Sequence, residues 1–276
     1  MNDEHITNDF EKFKKASFID VAKLNAYVTK LNLKKQNRTP EIIDNEYNSG
    51  LWNIDFENIE FETLDGNYNR DDTDEVQIFL INDQLRKINR KEYSRRREIE
   101  FLTFFNQIKN QEIVELGCGL GGNLFSLYRA GFKKLSGSDI SKNAIENIRK
   151  YVKTKGIDIK FEIMDLDEKL PNGFIQDKIV FTSSCLEQCK HIMPNALKNI
   201  VDGRPKAVMN FEVDYDSSPS MVKKYFDACD YQNNLVTELK KLENENIIRD
   251  VKIRKLFYSG SPVNGRSLIS WSPNKE

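Results

Sequence analysis

The sequence predicts an α/β protein: a mostly parallel sheet of seven strands, closed by an antiparallel C-terminal hairpin and preceded by a mainly helical N-terminal extension. Three observations carry this. From residue 111 onward, short apolar runs alternate with segments of helical periodicity, the pattern of strand–helix–strand units. The first of these runs leads into a glycine-rich turn, VELGCGLGG at 114–122. The last two runs are joined by about eight residues containing Ser261-Pro262 and Asn264-Gly265, too few for a crossover helix, so they must pair antiparallel.

Taken in order, residues 9–35 place Phe10, Phe13, Phe18, Val21, Leu24, Tyr27, Val28 and Leu31 at helical spacing and predict a helix or helix pair. Residues 51–68 alternate apolar and polar before an Asp65-Gly66 turn signal and predict extended structure. Residues 74–108 return to helical character, with seven basic residues between Arg86 and Arg97. The strands of the core then follow as EIVELG (112–117), KLSGSD (134–139), DIKFEIMD (158–165), DKIVFTS (177–183) and KAVMNFEVD (206–214). Helices are expected at about 122–130, at 142–154 with Ser141 as N-cap, near 189–201, and as one long helix over 219–245. IIRDVKIRKLFY (247–258) and RSLISWS (266–272) form the closing hairpin. This organisation divides the chain into an extension, residues 1–85, that forms a lid or acceptor pocket, and a core, residues 86–276.

Composition bounds the function. Among 276 residues, 42 Lys and Arg nearly balance 43 Asp and Glu, a formal charge of −1 that argues against general attraction to nucleic acid or membranes. No run approaches the roughly 20 apolar residues of a membrane span, and the start MNDEHITNDFEKFKK lacks the architecture of a secretion signal. Cys118, Cys185, Cys189 and Cys229 are too few for a disulfide scaffold, and the expected location is the cytoplasm.

The glycine turn fits G-x-G-x-x-G through Gly117, Gly119 and Gly122, and G-x-G-x-G through Gly117, Gly119 and Gly121. Such a turn lets the backbone approach a ligand closely. Glu115 lies two residues before it in an otherwise apolar strand, where a carboxylate costs free energy unless it is paired. Beside a pyrophosphate this charge would repel; beside the cationic amino-acid end of a sulfonium nucleoside it fits. The alternative is a carboxylate that caps local backbone amides. Asp139 ends the second strand, where a carboxylate can accept both ribose hydroxyls of a bound nucleoside. Asp165 ends the third, within reach of an adenine amino group. Singly each acid could be a solvated loop residue; together they mark a nucleoside site.

VELGCGLGGN with Asp139 and Asp165 resembles the class I S-adenosylmethionine-dependent methyltransferases over residues 90–272. The resemblance implies a Rossmann-like seven-stranded sheet ending in the antiparallel hairpin, with S-adenosylmethionine as methyl donor and S-adenosylhomocysteine as product. It implies that Glu115, Gly117, Cys118, Gly119 and Gly121 surround the amino-acid moiety, that Asp139 holds the ribose, and that Asp165 faces the adenine. Ile140, Leu166 and Ser183 complete the implied donor set. The family has no Walker lysine and none stands here, which removes ATP. More narrowly, FTSSCLEQ (181–188) and KAVMNFEVDY (206–215) resemble methyltransferases of surface-polysaccharide clusters, which carry T-S-x-x-x-E-Q and a later F-E-P; Val213 stands where that proline would be. This implies a sugar hydroxyl as acceptor, on a nucleotide-sugar or a growing polysaccharide.

Methyl transfer is an in-line displacement, so the protein must align the acceptor, exclude water and take a proton from a hydroxyl. The ends of the fourth and fifth strands supply Ser183, Ser184, Glu187, Gln188, His191, Glu212, Asp214 and Tyr215. His191 is a candidate base because an unperturbed imidazole titrates near about 6.5. It could equally be an exposed residue early in a helix. Glu187 and Glu212 are rival catalytic bases; Glu212 flanks an apolar strand, where burial would raise its pKa, or else makes a structural hydrogen bond. Cys185 and Cys189 with His191 lack a fourth ligand, and no metal is expected. The basic stretch 86–97 is either a solvated helix face paired with Glu92, Glu98 and Glu100, or it offers Tyr93, Arg96 and Arg97 to the donor carboxylate or an anionic acceptor. Tyr215 joins the acceptor-binding candidates, and Trp52, Phe56 and Tyr68 would line the lid. The competing functions are methylation of nitrogen or oxygen on another small metabolite, a nicotinamide-dependent oxidoreductase, and a catalytically silent binding protein. The literal G-x-G-x-x-G favours the oxidoreductase; Glu115 and the terminal hairpin disfavour it.

Overall fold

The computed structural model describes residues 10–34, 38–39, 42–43, 45–47, 75–190 and 193–274. The described elements, in chain order, begin with β1 (Lys14–Lys15), α1 (Phe18–Leu33), β2 (Val76–Ile81), β3 (Gln84–Asn89) and α2 (Arg90–Phe105). They continue with β4 (Ile113–Leu116), α3 (Gly122–Arg129), β5 (Leu135–Asp139), α4 (Lys142–Lys155), β6 (Ile159–Ile163) and β7 (Ile179–Ser183). The C-terminal part holds α5 (Met193–Asp202), β8 (Ala207–Val213), α6 (Ser220–Cys229), α7 (Leu235–Asn244), β9 (Ile248–Ser261) and β10 (Asn264–Pro273).

The central strands are apolar on both faces because helices cover both. Ile113, Phe181 and Phe211 point into one cluster with Phe101 and Phe105 of α2, Leu124 of α3 and Ile148 of α4. Val114, Val180 and Val208 point into the other, with Leu197 and Ile200 of α5 and Leu239 of α7. Alternation along each strand assigns neighbours to opposite layers, as the pleat requires. Strands β4 to β8 run parallel. Ser141 caps α4 by accepting from the Ala144 amide at 3.2 Å, as its position predicts.

Among the described residues the sheet has ten strands, in the order β1-β3-β2-β9-β10-β8-β7-β4-β5-β6, where the sequence reading expects seven. The seven expected strands are contiguous within it, and the terminal pair β9–β10 is antiparallel as expected. Its strands are longer than predicted, so Ser261 and Asn264 pair across a turn of Pro262 and Val263. The difference lies beyond β9. The apolar run VQIFLI forms β2 and pairs with β3 through a tight turn, and β2 adds to the edge of β9. Asn82 and Asp83 make that turn with φ of 47° and 58°, the left-handed region in which Asn and Asp are tolerated. The stretch 74–108 is therefore a hairpin followed by a helix. The described part of the N-terminal extension holds α1, which packs on α6, and also contributes β1, β2 and the start of β3 to the sheet. Of the nine strand pairings among the described residues five are antiparallel, and the parallel strands, β8-β7-β4-β5-β6, occupy one half of the sheet and reach its edge.

The long helix expected over 219–245 is two helices. Asp230 takes φ 55° and ends α6, and α7 starts again at Leu235. The extended segment predicted at 51–68 lies outside the described residues, as do His191 and Ile192.

Candidate active site

In an open α/β sheet the ligand site lies beyond the carboxyl ends of the strands. Strand β4 ends at Leu116, and the chain turns through Gly117, Gly119 and Gly121 with φ of 69°, 50° and 73°. Such conformations favour glycine. At Gly117 sterics also require it, because a Cβ there would lie 2.1 Å from the Cys185 sulfur. The loop is pinned by Asp139 at the end of β5: one oxygen accepts from the Gly119 amide at 2.7 Å, the other from the Ser141 amide at 2.8 Å.

Glu115 is 1% exposed. Its Oε1 accepts from Asn123 Nδ2 in the first turn of α3, while Oε2 has no partner among the described residues. Burial, reinforced by the negative charge of Asp139, raises its carboxyl well above the usual range. A cation placed against the free oxygen would relieve both problems, which is what the ammonium of an amino-acid moiety supplies. The side chain therefore does not spend itself on capping backbone amides. Ile140 stands exposed beside Asp139, with an apolar face available to a flat ring, and Leu166 is buried beside the half-buried Asp165. Asp165 accepts from the Asp167 amide at 2.9 Å. Cys118 is buried in the core cluster under the loop. These residues fit an S-adenosylmethionine molecule laid across β4, β5 and β6.

The next wall is built by the loop after β7. Ser184 has φ 53°, and a short 3₁₀ turn at Leu186–Gln188 follows. Glu212 on β8 holds this turn: its Oε1 accepts from the Cys185 amide at 3.0 Å and the Leu186 amide at 3.2 Å. That is the structural hydrogen bond named above as the alternative to a base. Burial raises the Glu212 carboxyl, and these amides hold it down. Glu212 Oε2 has no partner among the described residues. Glu187 is 4% exposed, its Oε1 accepts from Asn264 Nδ2 at 3.0 Å, and its Oε2 likewise has none. Burial, then the charge of Glu212, pushes its carboxyl up to about 8, against the opposing pull of Arg266 and Arg38.

The basic stretch 86–97 is split between two elements. Arg86 is buried on β3 and donates to the Phe13 carbonyl at 2.8 Å. Tyr93 is buried on α2, stacked on Phe79 with its hydroxyl donated to the Tyr258 carbonyl at 3.2 Å. Arg96 pairs with Glu92 at 2.7 Å and donates to the Tyr258 hydroxyl at 3.2 Å. Arg97 lines a small cleft with Ser183 and Arg266, and Arg266 donates to the Ser183 hydroxyl at 3.3 Å. Tyr215 donates to Asp227 at 2.9 Å. The structure thus gathers Glu115, Asp139 and the glycines at one end, and Glu187, Glu212 and Ser183 at the next. Sequence reasoning did not find Asn123, Asn264, Arg266 or Arg38. Asn264 was legible only as a turn signal; Arg38 meets Gln188, 150 positions away, at 2.8 Å.

Residues 113–202, from β4 to the end of α5, match the family described as methyltransferase domain. No protein of curated function matches the sequence. Among solved structures, the PH0226 protein of Pyrococcus horikoshii OT3 shares 17% identity over 67% of this chain and 93% of its own, with a TM-score of 0.49. The magnesium protoporphyrin IX methyltransferase of Synechocystis PCC 6803 with bound S-adenosylhomocysteine shares 12% identity over 67% and 85%, with a TM-score of 0.49. The pyocyanin biosynthetic protein PhzM shares 15% over 66%, with a TM-score of 0.50; this chain spans 56% of its length. At such identities the likeness is one of fold. The domain match gives residues 113–202 as a methyltransferase domain, and the site beside it suits S-adenosylmethionine as the donor rather than a nicotinamide nucleotide. No helix among the described residues is long and apolar enough to cross a membrane.

Proposed function

We propose that this methyltransferase O-methylates a small acceptor, and that the acceptor is a sugar hydroxyl on a nucleotide-sugar or surface-polysaccharide precursor. The observation that carries the reading is Glu187, a buried carboxylate at the β7 end with one oxygen held by Asn264 and the other unpartnered. A neutral hydroxyl is a poor nucleophile, and a carboxyl near 8 is matched to taking its proton around neutral pH. S-adenosylmethionine supplies a methyl group on a sulfonium sulfur. Glu115, Gly117, Cys118, Gly119, Gly121, Asp139, Ile140, Asp165, Leu166 and Ser183 hold it. As the acceptor oxygen bonds the methyl carbon, the carbon–sulfur bond breaks with its electron pair left on sulfur, and the hydroxyl proton passes to Glu187. Glu212 positions Glu187 through the 3₁₀ turn, and His191 is the rival base. Arg97 supports an anionic part of either ligand. Tyr93, Arg96 and Tyr215 shape the acceptor side through the elements they brace.

Residues 1–85 serve as lid and acceptor pocket, a role supported by Arg38 and Tyr47, whose side chains both donate to Gln188 in the loop after β7. The test has two parts. Calorimetry should give S-adenosylhomocysteine a micromolar or tighter affinity, weakened by about 1–3 kcal/mol in Asp139→Ala, the cost of lost charge-assisted hydrogen bonds. Methyl-labelled donor should then label nucleotide sugars in a panel of hydroxyl and amine acceptors. Label appearing only on amines would overturn O-methylation.

A further inference from the structure

Besides Glu212 Oε2, three buried polar atoms around the turn after β7 have no hydrogen-bond partner among the described residues: Glu187 Oε2, Asn264 Oδ1 and Arg38 Nε. Each such atom costs about 1–3 kcal/mol, and folded proteins contain few. These three come from separate parts of the chain, yet they form one neighbourhood. Asn264 is bonded to Glu187, Arg38 is bonded to the adjacent Gln188, and the charge of Arg38 acts on Glu187. Arg38 itself is 4% exposed and lies over the Tyr231 ring at 5.0 Å. Tyr231 packs edge-on to Tyr225 at 6.0 Å, and both rings are near enough to feel the Glu187 charge.

The open valences select a ligand. The free atoms on the bonded pair Glu187 and Asn264 are both acceptor oxygens, which disfavours a phosphate or carboxylate. The Arg38 charge is already matched by Glu46 at 3.0 Å, which removes the need for an anion. A group that both donates and accepts satisfies all three atoms, and hydroxyls do so. The tyrosine rings offer an apolar wall to the C–H face of a ring.

We propose that Glu187, Asn264 and Arg38 form a subsite for two adjacent hydroxyls, so that the acceptor presents a vicinal diol, as a pyranose does. One hydroxyl faces Glu187 and is methylated; its neighbour bridges Asn264 and the Arg38 Nε. This rests on Glu187 facing the acceptor hydroxyl.

The test is saturation-transfer NMR on the full chain saturated with S-adenosylhomocysteine, with methyl α-D-glucopyranoside, methyl α-D-mannopyranoside and methyl α-D-galactopyranoside as probes. Each is compared with its 2-deoxy and 3-deoxy forms and with cyclohexanol. At least one glycoside should bind saturably, with a deoxy form and cyclohexanol each at least tenfold weaker. Arg38→Met should shrink that ratio below threefold without changing S-adenosylhomocysteine affinity. Asn264→Ala provides the same readout if Arg38→Met fails to fold. Equal binding of diol and deoxy probes, no glycoside binding by a protein that binds S-adenosylhomocysteine, or an unchanged ratio in both variants would each overturn the diol subsite. Methyl transfer to an isolated hydroxyl would overturn the diol subsite while leaving O-methylation standing.

Discussion

Gly117 abuts Cys185, two residues before Glu187, and Gly117 and Glu187 each make a separate prediction. Replacing Gly117 by Ala places a side chain at φ 69° and drives its Cβ into the Cys185 sulfur and Cβ, at 2.1 and 2.6 Å. The backbone strain alone costs about 1–3 kcal/mol. Gly117→Ala should lower stability by at least that much and weaken S-adenosylhomocysteine binding more than tenfold. Cys185→Gly in the same chain should recover part of the stability, as measured by denaturant unfolding. For Glu187, kcat should rise with pH through an inflection near 8, because the ionised form is the base and its carboxyl is pushed up to about 8. Glu187→Gln should remove the inflection and lower kcat by roughly 10²–10⁴-fold, the usual worth of a positioned base. If His191→Ala does this instead, with an inflection near about 6.5, the histidine is the base.

Among the elements, the turn between β7 and α5 depends on a residue from β8. Glu212 accepts the amides of Cys185 and Leu186 and so holds the next residue, Glu187, in place. Glutamine keeps an oxygen acceptor at that point; leucine does not. Glu212→Gln should therefore retain most turnover with the pH inflection in place, whereas Glu212→Leu strands buried amides and should lose about 1–3 kcal/mol of stability for each. Loss of all turnover in a folded Glu212→Gln would make Glu212 a catalytic carboxylate. A similar device joins α2 to β9: Glu100 accepts from the amides of Phe257 and Tyr258 at 2.7 and 2.8 Å. The sequence showed Glu100 only as a helix-face acid, because its partners lie more than 150 positions away. The β2–β3 hairpin escaped the sequence reading for another reason. VQIFLI is apolar at every position but Gln77 and shows no sustained alternation, which suits a buried strand or a buried helix equally. Asn82-Asp83 is the local cue that separates them.

For the whole molecule, the raised carboxyls set how stability follows pH. Glu100, Glu115, Asp139, Glu187 and Glu212 all have folded pKa values above their ordinary ones, chiefly through burial. Between the ordinary carboxylate range and the folded values, the native state holds protons that the unfolded chain has released. Stability then falls as pH rises across that window. The melting temperature should decline from about pH 5 toward pH 8, and Glu115→Gln should flatten the decline. Saturating S-adenosylmethionine should raise the curve, by about 2.7 kcal/mol at a hundredfold excess over Kd, and raise it most at the alkaline end, where Glu115 meets the ammonium ionised. A melting temperature that increases steadily over this range would contradict the burial of these groups.

The sequence by itself determined the central strands, the glycine loop and the acids at the strand ends, because each is written in contiguous residues. A run of apolar positions, three glycines and an acid at the strand end need no distant partner to be read. Only the tertiary structure decided that the N-terminal hairpin joins the sheet, and that Glu212 braces a turn through backbone amides while Glu187 meets the Asn264 side chain. It also decided that Arg38 and Asn264 share the Glu187 neighbourhood. Those outcomes turn on which hydrogen bonds a buried group finds, and a buried group draws its partners from segments that only folding brings together.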